Sequence, residues 1–541
     1  MKGLMQDWSL TVNRVIDHAA REHGERELVT RSVEGPIRRT TLKDIYSRSK
    51  KVAKALVAEG VNKGDRIATM AWNTDRHLEA WYGINGCGAV YHTLNPRLFA
   101  EQLIYIMNHA EDKILFVDIS FVPIIAAVHD KLETLEKIIV LTDKEHLPES
   151  PLDLVAFEDW IANVDDDFDW VEVDENDASG LCYTSGTTGN PKGVMYSHRS
   201  NIIHAFTVNQ GDVLGTKSTD AVLPVVPMFH ANAWALAFAC PMVGAKMVMP
   251  GPKMDGESIY ELLESEKVST TAAVPSVWLM LLNYLESTGK KLPYLKRVLV
   301  GGSAAPRYMI EKFEKDYEVE FIHGWGMTEM SPLGTVCKFK SGMQDFSADE
   351  AIDQKLKQGR VPFSIEMKIV DDAGNDLPRD GKAFGKLMVK GPAVAKQYYR
   401  LEQSILDEDG WMDTGDVATI DPLGFMQITD RAKDVIKSGG EWISSIDVEN
   451  IAVGHPDVAE AAVIGMPHPK WDERPLLIVV PNAGATLSKE SMMQFLDGKM
   501  AKWWMPNDMV VVKEIPHGAT GKISKKDLRV QFADYQFPEG A

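Results

Sequence analysis

The chain has 541 residues, which is too many for a single hydrophobic core and predicts three or four structural units. With 58 basic against 78 acidic residues its net charge is −20, which disfavours nucleic acid or an anionic membrane as the main partner. The four cysteines are widely separated and include no CxxC pair, which argues against a zinc site or a disulfide framework and favours a reducing cytoplasm. The first residues lack the apolar core of a signal peptide, and no membrane span is expected.

Short aliphatic runs alternate with helical patterns over most of the chain. The runs include RIATMAW, AVYHTLN, KILFVD and KIIVLTD before residue 150, then TTAAVPSV and KRVLVGG. This alternation predicts α/β layers with largely parallel sheets. The most apolar stretch, AWALAFACPMVGAKMVM, is broken by Pro241 and charged at Lys246, so we expect a buried helix followed by a strand.

The pattern changes after about residue 429. SSIDVENIAVG predicts a short helix, VAEAAVIGMP and RPLLIVVP predict strands, and SKESMMQFLDGKMAKWWM and KKDLRVQF predict helices. We therefore predict a large N-terminal α/β domain of layered sheets and helices over residues 1–429, a hinge at 430–434, and a small mobile α+β domain over 435–541.

One loop, YTSGTTGNPKGV at residues 183–194, combines glycines, hydroxyl side chains and a lysine. Glycine frees the backbone for a tight curl, and the hydroxyls can donate to acceptor oxygens. A Walker A loop requires GxxxxGK[ST], but Lys192 here neither follows glycine nor precedes a hydroxyl, so the P-loop NTPase interpretation fails on spacing. A different phosphate cradle is favoured over an ordinary surface turn.

The loop resembles the phosphate-loop signature of the adenylate-forming superfamily, which includes acyl-CoA synthetases, luciferases and peptide-synthetase adenylation domains. Further motifs of that family follow in its order over essentially the whole chain. They are PMFHANAW (227–234), GGSAAP (301–306), GWGMTE (324–329), GRVPFSIEMKIVD (359–371), WMDTGD (411–416), DRAKDVIKSGGEWIS (430–444) and PHGATGKISK (516–525). The resemblance implies an AMP-forming ligase, in which a carboxylate attacks the α-phosphate of ATP and a thiol then displaces AMP.

The resemblance also implies where ATP and Mg²⁺ bind. Glu329 and Thr184 match the metal ligands, Trp325 the residue that lies against adenine, and Asp416 and Arg431 the ribose ligands. The residues implied in ATP or AMP binding are Thr184, Ser185, Gly186, Thr187, Thr188, Gly189, Lys192, Gly302, Ser303, Ala304, Gly324, Trp325, Gly326, Met327, Thr328, Asp416, Arg431 and Lys522.

Both half-reactions are expected to involve the small domain. Lys522 resembles the lysine whose ammonium bridges the carboxylate and the α-phosphate, and Lys433 matches the hinge position. The segment expected to line the coenzyme A tunnel comprises Lys437, Gly439, Gly440, Glu441 and Trp442. Catalytic roles are implied for Lys522, Lys437 and His230. Two residues depart from the family pattern, since His468 and Asp472 stand where Asp and Gly are common, and altered local packing is expected there.

The acyl pocket is implied at His230, Trp234, Gly302, Gly326 and Met327. His230 replaces the aspartate that binds an amino group in amino-acid adenylation domains, which makes an amino-acid substrate unlikely. Gly326 replaces the Trp that shortens the pocket of acetate-specific relatives. The chain resembles medium- and long-chain fatty acyl-CoA synthetases and, most of all, bacterial 3-methylmercaptopropionate-CoA ligases. That resemblance implies 3-methylmercaptopropionate and short- or medium-chain fatty acids as substrates.

Alternatives remain open at this point. A long-chain acyl-CoA synthetase, or an adenylation enzyme that loads a carrier protein, would use the same first half-reaction. A luciferase-type oxidation and a non-catalytic scaffold are less favoured, since the implied catalytic residues are all in place. A thioether is nearly isosteric with a methylene, so the properties of the pocket do not distinguish 3-methylmercaptopropionate from a fatty acid of similar length. Fatty acyl-CoA synthetases of this branch form dimers, which makes a homodimer the expected assembly.

Overall fold

The structure, a computed structural model, describes residues 1, 3–184, 190–431, 434–438, 441–518 and 522–538, without the side chains of 441–442. Within these ranges the strands form four sheets. Two large sheets lie in the first 336 residues, an antiparallel sheet follows, and the fourth sheet belongs to the C-terminal part. No helix of the described ranges combines the length and apolar character needed to cross a membrane.

The first 197 residues build a seven-stranded sheet and begin a second one. The helices are α1 (Asn13–His23), α2 (Leu42–Ala58), α3 (Asp75–Gly86), α4 (Ala100–Ala110), α5 (Val122–Ala126) and α6 (Phe157–Ala162). The strands are β1 (Glu27–Arg31), β2 (Ile37–Thr41), β3 (Arg66–Met70), β4 (Val90–Thr93), β5 (Ile114–Val117), β6 (Lys137–Val140), β7 (Leu154–Ala156), β8 (Ala178–Thr184) and β9 (Lys192–Ser197). The seven-stranded sheet has the order β7-β6-β5-β3-β4-β8-β9 and is parallel except for its last pair.

Residues 198–336 complete an eight-stranded sheet. Its helices are α7 (His198–Val208), α8 (Leu236–Val243), α9 (Gly256–Ser265), α10 (Pro275–Thr288) and α11 (Arg307–Glu311). Its later strands are β10 (Ala221–Pro224), β11 (Lys246–Met249), β12 (Thr270–Ala273), β13 (Arg297–Val300), β14 (Glu320–Gly326) and β15 (Leu333–Val336). The order is β15-β14-β13-β12-β10-β11-β1-β2. Buried side chains from both large sheets and from α1, α2, α3 and α8 form one core between them.

The third sheet is antiparallel and follows α12 (Ala348–Leu356). Its strands, in order, are β16 (Glu366–Val370), β17 (Phe384–Lys390), β18 (Met412–Ile420) and β19 (Met426–Arg431). Asp416 on β18 lies opposite Arg431 on β19. Strand β19 therefore continues into the segment 430–434 that the sequence marks as a hinge.

The C-terminal part has its own mixed sheet and two apolar cores. Its elements are β20 (Ile436–Ser438), β21 (Glu441–Ile443), α13 (Ser445–Val453), β22 (Val458–His468), β23 (Asp472–Pro481), α14 (Lys489–Leu496), β24 (Asp508–Val511) and α15 (Lys525–Gln531). The long antiparallel pair β22–β23 is central, and β24 adds in parallel to β23. Together with the two large sheets, this confirms the predicted fold class.

One predicted helix is wrong in its extent. The stretch SKESMMQFLDGKMAKWWM forms α14 only as far as Leu496, and Lys502–Trp504 makes a separate short 3₁₀ turn. Gly498 has φ +75°, a left-handed conformation in which the helix cannot continue. The apolar stretch around Pro241 does form a helix and a strand, α8 and β11, as predicted.

Candidate active site

The hairpin formed by β8 and β9 flanks the glycine-rich loop. Thr184, the last residue of β8, lies opposite Lys192, the first of β9. The Lys192 ammonium lies 4.9 Å from the centre of the Tyr398 ring, and the Tyr399 N–H donates to the Gly193 carbonyl at 2.8 Å. The predicted phosphate ligands Ser185, Gly186, Thr187, Thr188 and Gly189 lie outside the described residues. The two strand ends that flank the loop therefore lie side by side, and at one of them the Lys192 ammonium lies over the Tyr398 ring.

Glu329 is buried in a short 3₁₀ turn (Thr328–Met330) that follows β14. The Tyr398 hydroxyl donates to Glu329 Oε1 at 2.7 Å, and the Tyr196 hydroxyl donates to the Thr328 carbonyl at 2.8 Å. Tyr398 thus contacts both the predicted metal ligand and Lys192. A buried carboxylate with one oxygen fixed in this way offers a hard oxygen ligand of the kind that Mg²⁺ prefers.

Trp325, Asp416 and Arg431 form one connected group. The Trp325 Nε1–H donates to Asp416 Oδ2 at 2.9 Å, and Arg431 Nε lies 2.8 Å from Asp416 Oδ1. Asp416 is buried, and burial raises the pKa of its carboxyl despite the opposing attraction of Arg431 and the bond from Trp325. Each carboxylate oxygen keeps a further acceptor position. The group can therefore receive two vicinal hydroxyls while it stays fixed in place.

Gly334 on β15 makes room for Trp325. A Cβ atom at Gly334 would lie 2.3 Å from Trp325 Cζ3, which is closer than such atoms approach. We expect Gly334→Ala to displace the indole and weaken its bond to Asp416, so the KM for ATP should rise about ten-fold. Initial rates at varied ATP measure this, and Gly211→Ala is the control, because a Cβ atom there would meet nothing within 4 Å and the backbone φ is not positive. An unchanged KM for ATP would contradict the steric link.

Lys522 of the C-terminal part lies near Asp416 and Arg431 of the third sheet. Its side chain keeps contact with solvent, yet its amine is close enough to Arg431 and Asp416 for their charges to act on it. Loss of hydration and repulsion from Arg431, partly opposed by attraction to Asp416, together lower the pKa of Lys522 to about 8. The Gly518 N–H donates to the Lys522 carbonyl at 2.8 Å. The structure therefore brings together Lys522, Asp416 and Arg431 from three separate motifs.

His230 begins an unusual segment. The five residues Ala231–Ala235 all have positive φ, between 45° and 65°, and none is glycine. Each such residue costs about 1–2 kcal/mol relative to right-handed backbone. Burial lowers the pKa of His230 to about 4, with added repulsion from Lys522 and Arg97, so the imidazole is neutral near pH 7.

Trp234 and the GGS segment meet in the same region. A Cβ atom at Gly301 would lie 3.3 Å from Trp234 Cη2, so the indole lies against this glycine backbone. The next residue, Gly302, has φ +87°, which favours glycine. Ser303 is exposed and Ala304 half-buried, so both border an open space.

Three further predicted site residues lie at the end of β14 or directly after it: Gly324, Gly326 and Met327. A Cβ atom at Gly326 would lie 2.1 Å from the Pro332 carbonyl oxygen, so only glycine fits there. The Met327 N–H donates to the Pro332 carbonyl at 2.9 Å and fixes the turn before Glu329. These contacts place β14 and the GGS segment side by side, because β14 pairs in parallel with β13.

The predicted coenzyme A segment is only partly described. Lys437 is exposed on β20, and its N–H donates to Glu473 Oε2 at 2.9 Å. Gly439 and Gly440 lie outside the described residues, as does the predicted hinge residue Lys433, while Glu441 and Trp442 are described only as β21 backbone. Asp472 has φ +71°, a left-handed conformation that favours glycine, the residue that the family pattern leads one to expect here.

Three residues that contribute to the candidate site were not predicted from the sequence. Tyr398 links Glu329 to Lys192, Gly334 accommodates Trp325, and Arg97 places a positive charge near His230. Arg97 lies in an exposed loop after β4, and Tyr398 in an irregular segment, and neither belongs to a motif with recognisable spacing. Their roles come from contacts between distant parts of the chain.

Comparison with solved structures defines the class of fold. Anthranilate CoA ligase AuaEII, solved in complex with anthranoyl-AMP, superposes with a TM-score of 0.87 over 99% of this chain and 100% of that one. The sequences are 24% identical, so this likeness concerns the fold alone. The fold is that of an adenylate-forming ligase, a large layered domain with a smaller C-terminal domain.

The chain belongs to the family of AMP-binding enzymes, because the family's model matches residues 16–399 and the model of its C-terminal domain matches residues 447–522. It is 48% identical to the 3-methylmercaptopropionyl-CoA ligase of Ruegeria lacuscaerulensis over 99% of each chain. It is 47% identical to the medium-chain-fatty-acid–CoA ligase of Ectopseudomonas oleovorans over 99% of this chain and 98% of the relative. The predicted superfamily is thereby confirmed.

Proposed function

We propose that the chain is an AMP-forming acid–CoA ligase: a carboxylate attacks the α-phosphate of ATP and expels pyrophosphate, and the thiol of coenzyme A then displaces AMP to form a thioester. The observation that carries this proposal is the convergence of Lys522, Asp416 and Arg431, with His230 close enough to feel the charge of Lys522. Two anions must meet in the first step, and fixed cations lower the cost of bringing them together.

Each described group has a role that its surroundings support. Asp416, held by Trp325 and Arg431, accepts the ribose hydroxyls. Lys522 donates to the carboxylate and the α-phosphate, while Lys192 and the glycine-rich loop hold the β- and γ-phosphates. The His230 imidazole is neutral and adds no negative charge near the substrate, so its N–H can donate a hydrogen bond to the substrate carboxylate.

Magnesium fits the donors around Glu329. One buried carboxylate oxygen, fixed by Tyr398, and the Thr184 hydroxyl are the ligand types that Mg²⁺ accepts along with phosphate oxygens. When bound, the ion would neutralise charge on the phosphates.

The two half-reactions require a domain movement. Lys522 lies near Asp416 and Arg431 in this structure, whereas Lys437 lies on β20. We place the rearrangement at residues 430–434, with 1–429 and 435–541 as the two bodies, because few residues connect the cores on either side. Lys433 would then change its backbone conformation, and the segment 437–442 would admit the pantetheine arm.

For the acid, we propose 3-methylmercaptopropionate and short- or medium-chain fatty acids. Of the two relatives described above, one is named for 3-methylmercaptopropionyl-CoA and the other for medium-chain fatty acids, and both match over nearly the full length. Gly326, where only glycine fits, leaves the pocket free of a bulky side chain.

A substrate series tests the function. AMP release should be measured with 3-methylmercaptopropionate and straight-chain acids of rising length, with free coenzyme A as acceptor. We expect the thioether acid and the four- to eight-carbon acids to lie within about ten-fold of each other in kcat/KM, since one methylene-sized group discriminates weakly. A strong preference for long chains, or turnover only with a carrier protein, would replace the proposed substrates or acceptor.

We further propose a cytoplasmic homodimer. All four cysteines are buried and unpaired, which suits a reducing compartment. A cavity of about 410 Å³ near α1 is lined partly by exposed apolar residues, including Trp8 and Phe206, and offers a surface for a second copy. Sedimentation velocity measures the oligomeric state.

A further inference from the structure

The segment that carries His230 and Trp234 is held at both ends by buried asparagine side chains. We propose that Asn73 and Asn232, with Tyr91 and Asn201, act as positioning residues that fix the acyl end of the site. This inference rests on the proposed function, because it assigns the segment to the acyl pocket. We name residues 224–235 the acyl loop.

Asn73 holds the first half of the acyl loop. Its Nδ2 donates to the carbonyls of Pro224 and Val226 at 2.8 and 2.9 Å, and its Oδ1 accepts the Met228 N–H at 2.7 Å. The side chain is fully buried, and three of its bonding positions are used on one short stretch of backbone. Asn73 follows β3, so it ties the acyl loop of the eight-stranded sheet to the seven-stranded sheet.

Asn232 holds the second half. Its Nδ2 donates to Asn201 Oδ1, and its Oδ1 accepts from the Tyr91 hydroxyl, both at 3.2 Å. The Asn201 Nδ2 donates in turn to the Tyr91 hydroxyl at 3.1 Å. All three residues are buried, so these bonds form without competition from water.

The network continues to the phosphate-loop strand. The Asn201 Nδ2 also donates to Ser179 Oγ on β8 at 2.8 Å, and β8 ends at Thr184. The Tyr91 ring stacks on Trp81 with centroids 4.2 Å apart, which prevents the hydroxyl from moving. The acyl loop and the strand that leads to the predicted phosphate loop therefore share one set of buried bonds.

These hydrogen bonds are needed because the backbone of the acyl loop is strained. Five successive residues, Ala231–Ala235, lie in the left-handed region, and four of them have no intrinsic preference for it, being Ala or Trp. Such a turn persists only when its surroundings impose it. Asn232 is the one member whose residue type tolerates positive φ and whose side chain can bond to the network. Without the Asn232 side chain, we expect the Trp234 indole to lose its contact with the Gly301 backbone and the His230 imidazole to shift from its present position.

Variants can separate backbone preference from hydrogen bonding. Asn232→Gly keeps the left-handed conformation but removes the side-chain amide. Tyr91→Phe removes only the hydroxyl. Asn73→Ala removes the hydrogen bonds that hold the first half of the acyl loop. Asn209→Ala is the matched control, because Asn209 Nδ2 makes one 3.0 Å bond to the Ala239 carbonyl at the end of α7, outside the site.

The measurement is calorimetric binding of hexanoyl-sulfamoyl adenosine, a stable acyl-adenylate analogue, compared with AMP, and melting temperature is followed in parallel. We expect Asn232→Gly, Tyr91→Phe and Asn73→Ala to bind the acyl analogue about ten-fold more weakly while AMP affinity changes less than about two-fold. Asn209→Ala should retain both affinities. Steady-state rates should show the same variants with a raised KM for the acid and an unchanged KM for ATP.

Three results would overturn the inference. If Asn232→Gly and Tyr91→Phe keep wild-type affinity for the analogue, or weaken AMP binding equally, the network is merely structural. A wild type that binds the analogue no more tightly than AMP would defeat the proposed acyl pocket and this inference together. Tight wild-type binding with unaffected variants would defeat this inference alone.

Discussion

Replacing Lys522 with alanine should abolish adenylate formation and spare thioester formation from a supplied acyl-adenylate. The reason is positional, since the amine lies near Arg431 and Asp416, where charge develops on the α-phosphate. Removing one preorganised donor of this kind typically lowers kcat by about 100- to 1,000-fold. Pyrophosphate release measures the first half-reaction, and thioester formation from synthetic hexanoyl-AMP and coenzyme A measures the second.

Lys526→Ala is the control for this experiment. Lys526 is exposed on α15, four residues from Lys522, and its loss changes the net charge of the chain equally. It should leave both half-reactions unchanged. If Lys522→Ala reduced both half-reactions to the same degree, the division of labour between Lys522 and the segment 437–442 would be wrong.

The lowered pKa of Lys522 gives a second readout of the same residue. A lysine with a pKa of about 8 loses its charge as pH rises through that value, so adenylation should decline on the alkaline side. kcat/KM for ATP reports the free enzyme and should show this limb. Lys522→Arg keeps its charge throughout, so any activity that it retains should lack the limb between pH 7 and 9.

The fold followed from the sequence where local pattern decides structure. Runs such as KILFVD and KRVLVGG became the buried parallel strands β5 and β13, because aliphatic runs of that length suit strands covered on both faces. The helix after residue 488 was predicted too long, since the left-handed Gly498 interrupts it. The extension of β19 to Arg431 depends on pairing with β18, which local sequence does not encode.

Residues in the candidate site were predictable where they belong to motifs. Asp416, Arg431 and Lys522 converge although they are distant in sequence, and the order of the motifs indicated this. Tyr398 and Asn73 were not foreseen, because each acts through contacts that exist only after the sheets assemble. The left-handed turn at 231–235 could not be expected either, since Ala and Trp disfavour positive φ.

Glu329 is the residue on which magnesium binding should depend. Its burial and the bond from Tyr398 fix one oxygen, which among the described residues leaves Oε2 to meet a cation. Lys192 lies over the ring of the same Tyr398, so one side chain contacts both the Glu329 carboxylate and the Lys192 ammonium. The chain thus places an anion next to a cation site, as Mg²⁺-bound polyphosphate requires.

We expect Glu329→Gln to raise the Mg²⁺ concentration needed for half-maximal adenylation by at least about ten-fold and to lower kcat/KM for MgATP by about 100-fold. The amide preserves shape and can still accept from Tyr398, so the fold should persist while the charge is lost. Glu320→Gln at the start of β14, where the carboxylate pairs with Lys338 at 2.6 Å, is the matched control and should change neither quantity. Calorimetric binding of ATP with and without Mg²⁺ provides a readout independent of turnover. A Glu329→Gln variant that retains the wild-type gain in ATP affinity on adding Mg²⁺ would move the metal to other ligands, because a neutral amide cannot replace a carboxylate in holding the ion.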